Sequence, residues 1–148
     1  MSGEVNNVSV VGAGMMGHGI AQIAAMAGFK VNLVDVSKDA LDTALGKIKW
    51  SLQKFVEKGK IKKEDAEIAL RRINPSLDLQ KSVENADFII EAVPEDLDLK
   101  KRVFAQVDRS CPKHAIIATN TSSLSITEIS KATRRPERVV GLHFFYPA

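Results

Sequence analysis

Apolar residues along this chain follow two alternating rhythms: short runs such as Val8-Ser9-Val10-Val11 and Val31-Asn32-Leu33-Val34, and longer segments with apolar positions every three or four residues. The first rhythm is that of a strand buried in a sheet, the second that of an amphipathic helix. Together they predict strands near 7–11, 30–34, 73–77, 87–92, 115–119 and 138–142, and helices near 15–27, 38–58, 63–72, 97–109 and 125–132. Strands alternating with helices imply an α/β fold with a mainly parallel sheet covered by helices. Residues 134–137, Arg-Arg-Pro-Glu, read as a surface turn before the last strand.

One helical stretch is longer than such a fold requires. Leu41, Leu45, Ile48, Leu52 and Phe55 keep helical spacing, Gly59 interrupts it, and Ala66, Leu70 and Ile73 resume it. This predicts a helical hairpin over about residues 38–72 that projects from the sheet. Its junction carries Lys54, Lys58, Lys60, Lys62 and Lys63. Two readings are open: a solvated basic tip, or a cationic surface that captures a phosphorylated ligand arm.

The residues at the strand exits carry the chemistry. The first strand runs into Gly12-Ala13-Gly14-Met15-Met16-Gly17, and a helix follows with Ile20, Ile23, Ala24 and Ala27 at helical spacing. Gly12 permits the tight turn, Gly14 lets the backbone approach a pyrophosphate, and Gly17 allows close packing of helix and strand. The helix start then receives the phosphate charge through its free N–H groups and positive dipole end. Asp35, eighteen residues after Gly17, ends the second strand. A carboxylate there accepts hydrogen bonds from ribose hydroxyls and repels a 2′-phosphate, which favours NAD over NADP. Nearby Lys38 softens that preference. Strand, glycine turn, helix, strand and terminal acid describe a Rossmann-type, doubly wound dinucleotide site.

Three further exits lead into polar residues: the fourth strand into Glu91 and Pro94-Glu95, the fifth into Asn120-Thr121-Ser122-Ser123, and the sixth into His143. Ligands of open parallel sheets sit outside the carboxyl ends of the strands, so these residues are expected around one site. Of the other histidines, His18 in the first helix reads as a packing residue. His114, beside Pro112 and Lys113, reads as solvent-facing.

Composition narrows the class. The 148 residues make one domain, with 45% apolar and 26% charged residues, as in ordinary soluble proteins. A net charge of +3 and 5% aromatics give no case for nucleic acid. Cys111 is the single cysteine, which excludes an internal disulfide framework and fits a reducing compartment; it reads as a small buried apolar residue. No apolar run approaches the ~18 residues a membrane span needs. The first residues lack a signal pattern, so the expected location is cytoplasmic. No metal site is expected.

Taken together, Val11-Gly12-Ala13-Gly14-Met15-Met16-Gly17, Glu91-Ala92-Val93-Pro94-Glu95, Asn120-Thr121-Ser122-Ser123-Leu124 and Gly141-Leu142-His143-Phe144-Phe145 resemble the L-3-hydroxyacyl-CoA dehydrogenase family, including the 3-hydroxybutyryl-CoA dehydrogenases. The resemblance covers essentially the whole chain. It implies NAD as cofactor, an acyl-CoA substrate, and His143 as the base that takes the 3-hydroxyl proton while hydride leaves C3. A histidine titrates in the range that this task needs. By the same resemblance, Ser122 contacts substrate beside the nicotinamide, Glu95 and Lys100 contact the cofactor, and Ser51 and Lys58 touch the CoA portion. Without it, Ser51 reads as an ordinary helix-surface serine and Lys100 as a solvated lysine.

Relatives also carry a glutamate about a dozen residues beyond the base, a later asparagine, and a helical domain that closes the acyl site and forms the dimer. These lie outside residues 1–148. The expectation is therefore an NAD-binding domain, incomplete at its C-terminal end, that binds NAD but turns over poorly without a helical domain in trans. Tyr146 stands where the family has asparagine. A non-catalytic module that binds NAD or acyl-CoA is the alternative, and a different two-domain hydroxy-acid dehydrogenase fits less well.

Overall fold

The computed structural model describes residues 4–144, so Phe145 and Tyr146 lie outside the described residues. Six strands form one sheet: β1 (Asn7–Val11), β2 (Lys30–Val34), β3 (Ile73–Ser76), β4 (Phe88–Glu91), β5 (Ile116–Thr119) and β6 (Val139–Gly141). Their spatial order is β3-β2-β1-β4-β5-β6, and every neighbouring pair is parallel. The helices are α1 (Met15–Met26), α2 (Lys38–Glu57), α3 (Lys63–Arg71), α4 (Leu79–Val83), α5 (Leu97–Ser110) and α6 (Ile126–Ser130). This is the expected Rossmann-like α/β architecture. The winding reverses between β1 and β4, where such sheets open a crevice at their carboxyl ends.

Strand alternation divides the core into two layers. Val8 and Val10 of β1 join Val31, Leu33 and Ile90 against α1, α2 and α3. Val11, Ile89 and Ile117 face the other way, towards Val83, Val103, Phe104 and Ile129 on α4 to α6. Hydrophobic burial on both faces is what a parallel sheet requires. One row departs from it. Register aligns Ser9 with Asn32 and Asn32 with Asn74. The Ser9 hydroxyl and the Asn32 amide both donate to the Ser82 carbonyl, and the Asn74 amide donates to Asn32 Oδ1 at 3.1 Å. The Ser82 carbonyl of α4 thus serves the inner part of the polar row, Ser9 and Asn32.

The α2–α3 hairpin forms as the spacing predicts. Ser37 caps α2 by accepting the Ala40 N–H at 3.1 Å, and Gly59, at φ +72°, turns the chain between the helices. It lies along α1 more than it projects, because Leu41, Ala44, Ile48 and Leu52 are buried in the same cluster as Ile20, Ala21 and Ala25. Burial of Ile48 or Leu52 stabilises this contact by about 1.5–3 kcal/mol each.

One local expectation changes, at His114, and two segments gain detail that the spacing did not carry. The short helix α4 had no periodic signal, since one turn is too brief to show one; it forms because Asp78 caps it, accepting the Lys81 N–H at 3.1 Å. His114 is half-buried, with Nε2 2.9 Å from Asp87 Oδ1, instead of solvent-facing. Asp87 Oδ2 also accepts the N–H groups of Asn6 and Asn7, so one carboxylate fastens the entry of β1 to the start of β5. The 134–137 turn is anchored too: Arg135 donates to Asp108 Oδ1 at 2.6 Å and to the Asp108 and Pro112 carbonyls.

Candidate functional site

The strand exits converge on a cleft of about 1000 Å³ at the carboxyl edge of the sheet. Gly12, Gly14, Met15, Met16 and Asp35 line one part of its wall, and Glu95, Lys100, Ser122 and His143 also line it.

The glycine turn is explained by contact distances. Gly12 has φ +107°, and a Cβ there would stand 2.6 Å from the Ala92 carbonyl oxygen. A Cβ at Gly17 would lie 1.7 Å from the Gly12 carbonyl oxygen, so this glycine lets the helix press on the turn. A Cβ at Gly14 would meet nothing within 4 Å. The backbone there faces open space, as an approaching diphosphate requires. Gly14 is the N-cap of α1 and provides no side-chain cap, which leaves first-turn N–H groups for an anion. His18 turns back on the same turn, its Nδ1 2.9 Å from the Gly14 carbonyl oxygen.

Asp35 is held in place by the turn. Oδ2 accepts the Ala13 N–H and Oδ1 the Ser37 N–H, each at 2.9 Å. A carboxylate has about four acceptor positions, so each oxygen keeps capacity for a ribose hydroxyl. The open backbone at Gly14, the uncapped helix start and this oriented acid together fit a dinucleotide.

The rim from β4 to β6 is built differently. Glu91 is 1% exposed. Its Oε2 accepts the Val93 N–H at 2.8 Å and a Lys100 proton, while Oε1 accepts the Thr119 hydroxyl at 2.6 Å. Lys100 is likewise 1% exposed, and its Nζ reaches Glu91, the Val93 carbonyl at 3.0 Å and Glu95 Oε1 at 3.2 Å. An ammonium has three protons, and three protein acceptors surround this one. The lysine is thus part of the wall, whereas the residue pattern alone suggested a solvated side chain. Glu95 Oε2 accepts the hydroxyls of Thr121 at 2.8 Å and Ser123 at 3.0 Å. Burial pushes the Glu95 carboxyl up, but the hydrogen bonds from Thr121, Lys100 and Ser123 prevail and hold it below the ordinary carboxylate range.

Ser122 and His143 are exposed and face the same cleft. Ser51 and Lys58 lie outside its lining, on α2 and at that helix's end. Ser51 is half-buried, and its hydroxyl accepts the Gln22 amide at 2.9 Å. Lys58 is exposed at the hairpin tip.

Sequence reasoning missed Thr119, and it placed Thr121 at the site without its partner; their pairings with Glu91 and Glu95 span 28 and 26 residues. It also missed the apolar wall near Asp35 formed by Val36, Leu77 and Leu79. The available signal was an apolar residue directly after a strand-ending acid, and in the structure Val36 is 98% exposed.

Comparison with known proteins identifies the family and agrees with the fold. The family model described as "3-hydroxyacyl-CoA dehydrogenase, NAD binding domain" matches residues 7–148. A probable 3-hydroxybutyryl-CoA dehydrogenase of Bacillus subtilis is 45% identical over 144 residues, covering 97% of this chain and 50% of that protein. The mitochondrial hydroxyacyl-coenzyme A dehydrogenase of Rattus norvegicus is 42% identical over 148 residues, with 97% and 47% covered. The crystal structure of a 3-hydroxybutyryl-CoA dehydrogenase from Escherichia coli superposes with a TM-score of 0.95 at 45% identity, over 98% of this chain and 30% of that one. The chain therefore spans about half the length, or less, of these relatives.

Proposed function

The chain belongs to the NAD-binding domain family of the 3-hydroxyacyl-CoA dehydrogenases, and from that premise we propose that it is the cofactor-binding portion of an enzyme interconverting L-3-hydroxyacyl-CoA and 3-ketoacyl-CoA. The observation that carries the proposal is that Ser122 and His143 line the same cleft as Gly12, Gly14, Met15, Met16 and Asp35. A module that only bound nucleotide would have no need of an exposed imidazole and an exposed hydroxyl in that cleft.

Bound NAD would supply the hydride acceptor. The chain's own residues do the remainder. The α1 N-terminus receives diphosphate charge, and Asp35 accepts the ribose hydroxyls. His143 takes the proton of the substrate 3-hydroxyl, and its imidazolium returns that proton in the reverse direction. Ser122 contacts the reacting oxygen. Glu95 faces the cofactor, with Lys100 acting through it. Ser51 and Lys58 hold the CoA portion from the hairpin. Residues 1–148 form one domain in this reading, with closure of the acyl site left to a helical portion such as relatives carry. A cytoplasmic location belongs to the same reading; no helix among the described residues is long and apolar enough to cross a membrane.

Calorimetric titration with NAD and NADP, followed by acetoacetyl-CoA reduction with and without the helical half of a relative, tests this. The expected result is preferential NAD binding, little turnover by the chain alone, and recovered hydride transfer on addition of the helical half. Failure to bind NAD overturns the reading. Binding without hydride transfer in either mixture leaves a non-catalytic module, and rapid turnover by the chain alone overturns its dependence on a helical partner.

A further inference from the structure

His143 stands just past the last strand, where the sheet gives little support. β6 is three residues long, lies at the sheet edge and ends at Gly141. Two hydrogen bonds bracket the histidine. The Leu142 N–H donates to the Thr119 carbonyl at 2.9 Å, extending the β5–β6 ladder by one step. The Phe144 N–H donates to Asn120 Oδ1 at 3.0 Å. Asn120 is itself anchored, because its own N–H donates to the Glu91 carbonyl at 3.0 Å. Two residues later the same loop presents Ser122.

We propose that Asn120 is a positioning residue: its side-chain oxygen clamps the backbone beyond β6 and so fixes His143 relative to Ser122. This rests on the dehydrogenase reading above. A base must stay within hydrogen-bonding reach of the proton it takes. Displacement by about 1 Å can cost on the order of a hundredfold in rate. Past Gly141 the ladder supplies a bond before the histidine, and the Asn120 side-chain oxygen accepts a bond after it. A short carboxamide suits the task because its oxygen is a fixed acceptor for the Phe144 N–H. Glu91 extends the clamp inward: its carbonyl holds the Asn120 backbone, and its carboxylate holds the Thr119 hydroxyl.

The test compares the parent chain with Asn120→Ala and Asn120→Asp. Three quantities are measured: amide hydrogen exchange at Phe144, NAD affinity, and kcat and KM for acetoacetyl-CoA reduction with a relative's helical half added. Asn120→Ala is expected to speed Phe144 exchange at least tenfold and lower kcat by about 10- to 100-fold. KM and NAD affinity should stay within about twofold. Asn120→Asp keeps an acceptor and should restore both exchange protection and most of kcat. An Asn120→Ala protein with exposed Phe144 but unchanged kcat overturns the proposal. So does a kcat loss matched by loss of NAD affinity, or one that aspartate leaves unrescued. Absence of hydride transfer in the parent mixture overturns the dehydrogenase reading itself, and with it the base that Asn120 would hold.

Discussion

The two halves of the cleft rim are made from different materials. From β1 to β2 the wall is backbone: a turn that tolerates no Cβ at Gly12 or Gly17, an uncapped helix start, and Asp35 oriented by two main-chain N–H groups. From β4 to β6 it is side chain: Glu91, Lys100, Glu95, Thr119, Thr121 and Asn120 bonded across three strand exits. A backbone wall recognises what every dinucleotide shares, the diphosphate and ribose. A side-chain wall can be shaped to one chemistry, and here it carries Ser122 and His143.

The two materials should fail differently. Glu91→Ala removes the buried carboxylate that Lys100 and Thr119 share and leaves the half-exposed Glu95 as the remaining counter-charge, so thermal or urea unfolding should show a loss of about 3 kcal/mol. Glu91→Gln, which keeps hydrogen-bonding atoms in place, should lose less. A Glu91→Ala protein as stable as its parent would mean that the side-chain wall is dispensable. In the backbone wall, Gly17→Ala drives a methyl into the Gly12 carbonyl and should cost about 1–3 kcal/mol, with NAD affinity falling at least tenfold because the turn must move. Unchanged affinity there would show that the turn is not what holds the cofactor.

The smallest effect lies at the opposite edge of the sheet. The His114 imidazole, followed by the N–H groups of Asn7 and Asn6, holds the Asp87 carboxyl below its ordinary value. A folded-state value below the unfolded one adds stability above about pH 4, and that contribution disappears as pH falls through the folded-state value. His114→Ala should therefore move the acid-unfolding midpoint upward by less than about one pH unit, followed by circular dichroism from pH 6 to 2. The mutation should leave NAD affinity untouched, since neither residue lines the cleft. An unmoved midpoint would show that the pair does not fasten β1 to β5.

The same division governs what the sequence disclosed. The backbone wall is local: steric exclusion permits only glycine at Gly12 and Gly17, so the requirement is written into adjacent letters. The central strands are equally plain, because burial on both faces leaves mostly apolar runs such as Val8 to Val11 and Val31 to Val34. The side-chain wall joins Glu91 to Thr119 and Glu95 to Thr121 across 28 and 26 residues, and nothing at any one of these positions announces its partner. Lys100 shows the difficulty best. At the start of an amphipathic helix a lysine reads as solvated, and only the folded neighbourhood of three acceptors reveals why it is buried. Ser122 and His143 gained meaning from resemblance, since an exposed serine and an exposed histidine in loops carry no periodic signature.

Gly14 offers an unusual instrument. Its torsions, φ −75° and ψ −156°, are open to any L-residue, and a methyl there would touch no neighbouring atom. Alanine at this position should leave the melting curve of the ligand-free chain nearly where it was. Whatever affinity then disappears reads out, in isolation from folding, how tightly the incoming diphosphate crowds that one carbon.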